Sequence, residues 1–264
     1  MNDALYIAAT GMHMQQKNVD AIANNLANVN TPGFKKGRVS FEDLVYRDMS
    51  AASAASGIGM NGNNSQRLWQ GSGVGLASIS KSFIAGDLKK TDSALDFAIA
   101  GEGFFEVVSP DATPAYTRGG SLTVDKEGFL ATLDGHVLKP AIHIGTDFKD
   151  IAVKADGSVM VRMRDQDSAV EVGRIELARF ADVNGLVAMG SNMYKTSEQS
   201  GDPIYGRAGE DGMGTIAQGF IEGSNVKLIE EMVDLMAAQR AYESSVKVIQ
   251  ASDELLAMSN NLRK

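Results

Sequence analysis

The stretch from Leu5 to Val29, LYIAATGMHMQQKNVDAIANNLANV, decides the fold. Leu5, Met12, Val19 and Leu26 recur every seven residues within it, Ala8, Ile22 and Val29 fill companion positions, and Gln15 is the polar exception. Leu228, Leu235, Tyr242, Ile249 and Leu256 keep the same period at the other end, with Met232 and Val246 between them. A seven-residue repeat holds one apolar seam against a partner helix along its whole length. Both ends therefore read as long helices with an apolar seam. The seams could meet each other, as an antiparallel helix pair closing a single molecule, or meet seams of neighbouring copies; periodicity leaves both open. The layout is that of a building block more than of an enzyme.

Helix signals bound these segments. Asn2 or Asp3 can cap the first helix. Pro32 disfavours helix at the residue before it and Gly33 permits a sharp turn, so the helix should stop between Asn28 and Thr31. That makes about 27 residues, or roughly 40 Å. Gln15, Gln16, Asn18, Asn24, Asn25 and Asn28 are weak helix chemistry, which predicts poor order in isolation and helix formation on packing. Ser224 or Asn225 is expected to cap the last helix, which should run to about residue 262. Glu230, Glu231 and Asp234 near its start and Arg263 and Lys264 at its end suit the helix dipole. Glu243 and Lys247 form a favourable i,i+4 pair. Val226, Ile229, Val233, Met236 and Ala237 make a second apolar row beside the seam. A helix apolar on two sides is buried from two sides, which points to an assembly.

Between the helices the pattern changes. Residues 34–48 carry an apolar cluster, Val39, Phe41, Leu44, Val45 and Tyr46, that fits strand or helix equally. Residues 49–75 are rich in Ala, Ser, Gly and Asn and read as an extended arm or a linker, with Trp69, the sole tryptophan, expected to pack near its end. From Val74 to Gln218 short runs alternate apolar and polar residues. Asp134-Gly135 and Asp156-Gly157 are the best hairpin signatures, because glycine accepts positive φ. Around the second, Val153, Val159, Val161 and Met163 alternate with polar neighbours, and Val170/Val172 and Ile175/Leu177 continue the pattern. Regularly spaced short strands predict a sandwich- or barrel-like β domain. Residues 196–215 read as loop. The expected class is α+β: terminal helices forming a coiled-coil domain, plus a β-rich domain.

Composition narrows the function. The 264 residues suffice for one large or two smaller cores, and 44% hydrophobic content is ordinary for a folded chain. Net charge is −8, with no basic run longer than the Lys35-Lys36 and Lys89-Lys90 pairs, so nucleic acid is a poor partner. Cysteine is absent, so no disulfide or thiolate metal site is needed. The opening residues lack a basic and then continuously apolar segment, and a cleaved signal peptide is not expected. No stretch is apolar enough to span a membrane.

Chemical motifs are weak. Gly57-Ile58-Gly59-Met60-Asn61-Gly62 matches a dinucleotide-type glycine string, but no strand precedes it and no helical period follows. His13, His136 and His143 are scattered without metal spacing. No Gly-x-Ser-x-Gly elbow occurs. Asp92, Asp96, Asp111 and Asp125 are spread over turns, and the Asp125–Gly128 and Asp211-Gly212 segments lack calcium-loop spacing. No cofactor, metal or small-molecule substrate is expected.

Four segments carry a resemblance. They are Asn24-Asn25-Leu26-Ala27-Asn28-Val29-Asn30-Thr31-Pro32-Gly33-Phe34-Lys35; Ala94-Leu95-Asp96-Phe97-Ala98-Ile99-Ala100-Gly101-Glu102-Gly103-Phe104-Phe105; Tyr116-Thr117-Arg118-Gly119-Gly120-Ser121 with Asp125 and Gly128; and Gly223-Ser224-Asn225-Val226 with Ala238-Gln239-Arg240-Ala241-Tyr242-Glu243. In this order they resemble the rod and hook family, the axial proteins of the bacterial flagellum. Ala85 stands where that family usually has glutamine, and Leu122 where it usually has phenylalanine. The resemblance implies a non-enzymatic subunit of a helical homopolymer in the flagellar basal body, exported by the flagellar secretion apparatus without a cleaved signal. Its neighbours would be proximal rod proteins, hook protein and the surrounding ring bushing. Residues 1–33 with 222–264 would form the inner tube, 34–82 an arm, and 83–221 an outer β layer. The interface residues would be Leu5, Met12, Val19, Ile22, Leu26, Val29, Leu228, Met232, Leu235, Tyr242, Val246, Ile249 and Leu256.

Overall fold

The computed structural model describes residues 2–44, 46–48, 69–71, 73–109, 113–145, 147–164 and 168–261. The glycine string at 57–62, Val45, Asp111, Arg263 and Lys264 lie outside the described residues, as does the side chain of Trp69. The chain divides into two compact units, one drawn from 1–26, 37–80 and 228–264, the other from 27–36 and 81–227.

The first unit contains the two long helices, α1 (Asn2–Ala27) and α2 (Leu228–Asn261). Two contacts fix how they run. Asn25 Nδ2 donates to Glu231 Oε2 at 3.0 Å, and a Cβ at Gly11 would stand 3.8 Å from Ser245 Oγ. Fourteen residues separate the contact points on each helix, in opposite directions, so the helices are antiparallel and in constant register over roughly 21 Å. Ala8, Ile22 and Asn25 of α1 and Glu231 and Ala238 of α2 are buried. Gln15 sits among the half-buried positions, and its Oε1 is buried with no hydrogen-bond partner among the described residues. Such an orphaned acceptor costs about 1–3 kcal/mol, so the seam is not an optimised core.

Within the ambiguous 34–48 segment the described residues hold two strands and no helix. β1 (Gly37–Asp43) and β2 (Tyr46–Asp48) pair respectively with β4 (Val74–Lys81) and β3 (Trp69–Gly71). Gly73 adopts φ +114°, and a Cβ there would meet Thr10 Oγ1 of α1 at 2.5 Å, so the chain can pass the helix this closely only without a side chain.

The second unit is β-rich, with a 3-10 turn at Val183–Gly185. It begins with β5 (Leu88–Lys90), β6 (Phe97–Ala100), β7 (Phe104–Val108), β8 (Pro114–Thr117), β9 (Leu122–Val124), β10 (Leu130–Thr132) and β11 (Val137–Lys139). It continues with β12 (Phe148–Val153), β13 (Ser158–Met163), β14 (Val170–Arg174), β15 (Glu176–Arg179), β16 (Val187–Gly190), β17 (Met193–Lys195), β18 (Ile204–Arg207), β19 (Thr215–Gln218) and β20 (Phe220–Glu222). A nine-stranded antiparallel sheet runs β16-β17-β8-β7-β11-β10-β9, and β15 joins it by pairing with β7 and β18. Strands β12-β13-β14 form a separate sheet, while β6 pairs with β19 and β5 with β20. Both Asp-Gly sites turn as read. Gly135 (φ +84°) lies between β10 and β11, and Gly157 (φ +85°) between β12 and β13. The 196–215 segment is not loop throughout, because Ile204–Arg207 pairs with β15. Its side chains are exposed or half-buried, so no buried alternation marked it.

Strand β7 shows how the core forms. Successive residues point to opposite faces. Phe105 and Val107 enter the main cluster with Phe97, Leu130, Leu138, Ile175 and Leu177. Phe104 enters an aromatic cluster with Tyr116, Phe180 and Tyr194, where Tyr116 and Phe180 meet edge-on at 4.8 Å between centroids.

Candidate functional site

Lys35 of the first motif segment and Arg118 of the third meet at one carboxylate, and the central segment holds Arg118 in place. Glu222, 1% exposed at the end of β20, accepts from Lys35 Nζ at 2.7 Å, from Arg118 Nε at 2.6 Å and from the Gly86 amide at 2.8 Å. Its backbone carbonyl accepts from the Gly33 amide at 2.8 Å. Lys35 also donates to the Ile84 carbonyl at 2.8 Å. The remaining Arg118 donors reach the carbonyls of Gly103 (3.1 Å), Gly101 (3.0 Å) and Ile99 (3.2 Å). The first motif thus supplies a cation, the third a second cation, the central one three carbonyls, and Glu222 immediately precedes the fourth.

Asn225 completes the arrangement. Its Oδ1 accepts from the Lys36 amide at 2.7 Å, and its Nδ2 donates to the carbonyls of Ser82 (2.8 Å) and Ile84 (3.0 Å). Asn225 is therefore not the cap of α2, which starts at Leu228, and Ser224 Oγ accepts from the Val226 amide instead. Backbone closeness demands glycine here. A Cβ at Gly86 would overlap the Gly223 carbonyl oxygen, and one at Gly120 would overlap that of Phe97.

The electrostatics follow from burial. Desolvation alone would raise the Glu222 carboxyl, but the Arg118 and Lys35 charges outweigh it and hold the group below its usual range. Burial lowers Lys35; Glu222 opposes that shift and the like charge of Arg118 adds to it, leaving the ammonium below its ordinary value. Burial and the nearby Glu222 charge push the Tyr194 phenol up to about 12. Two cations and one carboxylate are locked below 5% exposure and bonded to one another and to backbone, so this is a structural clamp and not a reactive centre. Among the described residues no cluster of His, Asp or Glu could hold a metal ion.

The seam residues divide. On α1, Leu5, Met12, Val19 and Leu26 are half-buried and Ile22 is buried; Val29 is half-buried in the turn beyond the helix. On α2, Leu235, Val246, Ile249 and Leu256 are half-buried, whereas Leu228, Met232 and Tyr242 are exposed. Ile229, at 78% exposure, leads a second exposed row with Val233 and Met236. Sequence reading missed Glu222, Asn25 and Glu231 as organising residues and assigned no role to Lys35 and Arg118. The available signal was charge set beside glycine turns and apolar runs, as in Gly33-Phe34-Lys35 and Arg118-Gly119-Gly120.

Three family models match the chain: "Flagella basal body rod protein" over residues 5–35, "Flagellar hook protein FlgE/F/G D1 domain" over 98–161, and "Flagellar basal body rod FlgEFG protein C-terminal" over 217–262. The chain is 42% identical over 268 aligned residues to the flagellar basal-body rod protein FlgG of Borreliella burgdorferi, covering all of both chains. It is 38% identical to FlgG of Bacillus subtilis, with 99% of each covered. The chain belongs to the FlgG family of flagellar basal-body rod proteins. A rod protein FlgF of Caulobacter vibrioides is 33% identical over 97% of the chain and 95% of that protein. As a FlgG-family member the chain is a structural subunit of the flagellar basal-body rod and not an enzyme. It assembles there with other flagellar components. In this chain the clamp unites segments drawn from all three matched regions: Lys35 from the first, Ile99, Gly101, Gly103 and Arg118 from the second, and Glu222 and Asn225 from the third.

Proposed function

We propose that this rod subunit polymerises helically with copies of itself, its terminal helices forming the coiled-coil wall of an inner tube and its β domain, sandwich- or barrel-like in packing, the outer layer. In this reading residues 1–33 with 222–264 are the tube, 34–82 the arm bracing neighbouring copies, and 83–221 the outer layer. The polymer is a rigid hollow distal rod that carries torque from motor to hook. Proximal rod proteins, hook protein and the ring bushing adjoin it, and the subunit arrives through the flagellar export apparatus without a cleaved signal.

One observation carries the reading: α2 leaves Ile229, Met232, Val233 and Met236 exposed on consecutive turns. Fully burying each such side chain contributes roughly 1.5–3 kcal/mol, enough in sum to offset the ordering cost of association. The experiment is sedimentation and electron microscopy of the full-length chain beside its Ile229→Asp/Met236→Asp variant. The parent should form tubes as concentration rises, and the variant should remain a folded monomer. A variant that polymerises like its parent, or a parent that stays monomeric throughout, overturns the proposal.

A further inference from the structure

The seam between α1 and α2 is nearly degenerate. Ala238, Ser245 and Ser252 repeat every seven residues on α2, as do Leu235, Tyr242, Ile249 and Leu256. Ser245 Oγ and Ser252 Oγ donate back to the carbonyls of Ala241 (3.0 Å) and Val248 (2.8 Å), so both serines act as small, locally satisfied residues. Sliding one helix along the other by seven residues would thus place like against like. Apolar packing alone does not choose the register.

The exception is Asn25. It is 1% exposed, and its partner Glu231 is 0% exposed. Asn25 Oδ1 accepts from the Gly37 amide at 2.8 Å. Its Nδ2 donates to the Gly37 carbonyl at 2.9 Å and to Glu231 Oε2 at 3.0 Å. Both amide hydrogens are committed, and the paired bonds to Gly37 fix which end of the amide faces the carboxylate. Turned over, the amide oxygen would confront a carbonyl and a carboxylate in a low-dielectric site. Among the described residues Asn18, one heptad earlier, has no such tie to β1. A seven-residue slip in one direction would set Glu231 opposite Asn18, away from Gly37, and one in the other would bring Ala238 opposite Asn25 and carry Glu231 past the end of α1.

We propose that the Asn25–Glu231 pair is the specificity-determining contact of the helix pair. It selects one antiparallel register from those the apolar seam permits, much as a single buried polar residue fixes register in a coiled coil. It thereby decides where along α1 the outward row of α2 sits. The link from that outward face to assembly rests on the proposed function; the register itself does not.

The test uses the absence of cysteine from the chain. In the full-length protein, Gly11→Cys/Ser245→Cys reports the observed register. Gly11→Cys/Ser252→Cys reports a seven-residue slip, whose partner lies roughly 10 Å further along the helix and beyond disulfide reach. Intrachain cross-linking under mild oxidation is read on non-reducing gels. The in-register pair should exceed the slipped pair by roughly tenfold or more in the parent. Glu231→Ala should bring the two yields close together. Glu231→Gln, which keeps an oxygen acceptor for Asn25, should retain most of the preference. An unchanged ratio in Glu231→Ala and Asn25→Ala overturns the inference. So does a parallel loss of both cross-links, which would mark a merely stabilising contact, and so do equal yields in the parent. If the ratios behave as expected and the parent never polymerises, the assembly reading fails and the register assignment stands.

Discussion

The β unit and the helix unit satisfy their side chains in opposite ways. In the β unit Phe97, Phe105, Leu130, Leu138, Ile175 and Leu177 are fully enclosed, and its buried charges answer one another around Glu222. In the helix unit Ile229, Met232, Val233 and Met236 face outward, and Gln15 keeps an orphaned buried oxygen. The β unit encloses a large core, yet it too exposes Ile84 and Leu133 at 74% and keeps Thr91 Oγ1 and His136 Nδ1 buried without a partner among the described residues. The helix unit differs in exposing its apolar residues as one row along α2. The same chain thus combines a body with an enclosed core and a helix with an exposed apolar row.

The contrast can be broken most strongly at the clamp. Glu222→Leu leaves Lys35 and Arg118 buried without a counter-charge, and should destabilise the β unit by about 3–5 kcal/mol in urea unfolding. A midpoint equal to the parent's would mean that water enters the site. Leu177→Ala opens the main core and should cost about 2–5 kcal/mol by the same measurement, with the spread set by how far neighbours collapse.

Acid tests the clamp more gently. The folded-state pKa of Glu222 lies below its unfolded value, so its contribution is present above the ordinary carboxylate range, near pH 4.3, and is lost as pH falls toward the lower folded value. Between pH 5 and about 3 the parent should lose more stability than Glu222→Gln, whose residue 222 does not titrate. Parallel stability curves for the two proteins would remove Glu222 from the acid response. The smallest effect sharpens the comparison from the other side. Ile229→Asp should change the melting of the monomer by no more than about 0.5 kcal/mol, because its side chain already faces solvent. A large loss there would mean that the helix face is covered within the chain after all.

Much of this was legible in residue order. Heptads placed both helices, with α1 ending at Ala27 ahead of Pro32 and Gly33, and the two Asp-Gly pairs marked hairpins that exist. These features are local: helical periodicity and the φ freedom of glycine act over a few residues. Strand β18 was illegible because an exposed edge strand carries no inward alternation. Asn225 looked like a helix cap because Asn favours that position, yet its side chain serves Lys36, Ser82 and Ile84.

Residue order alone carries the periods, the turns, the absence of cysteine and the four motif segments that place the chain in its family. It took the folded chain to show that Lys35, Arg118 and Glu222 share one buried site, and that Asn25 reaches Glu231 across 206 residues of sequence. The physical reason is that a hydrogen bond or ion pair depends on distance and desolvation. Neither is encoded in spacing along the chain, and both exist only once the chain has folded back on itself.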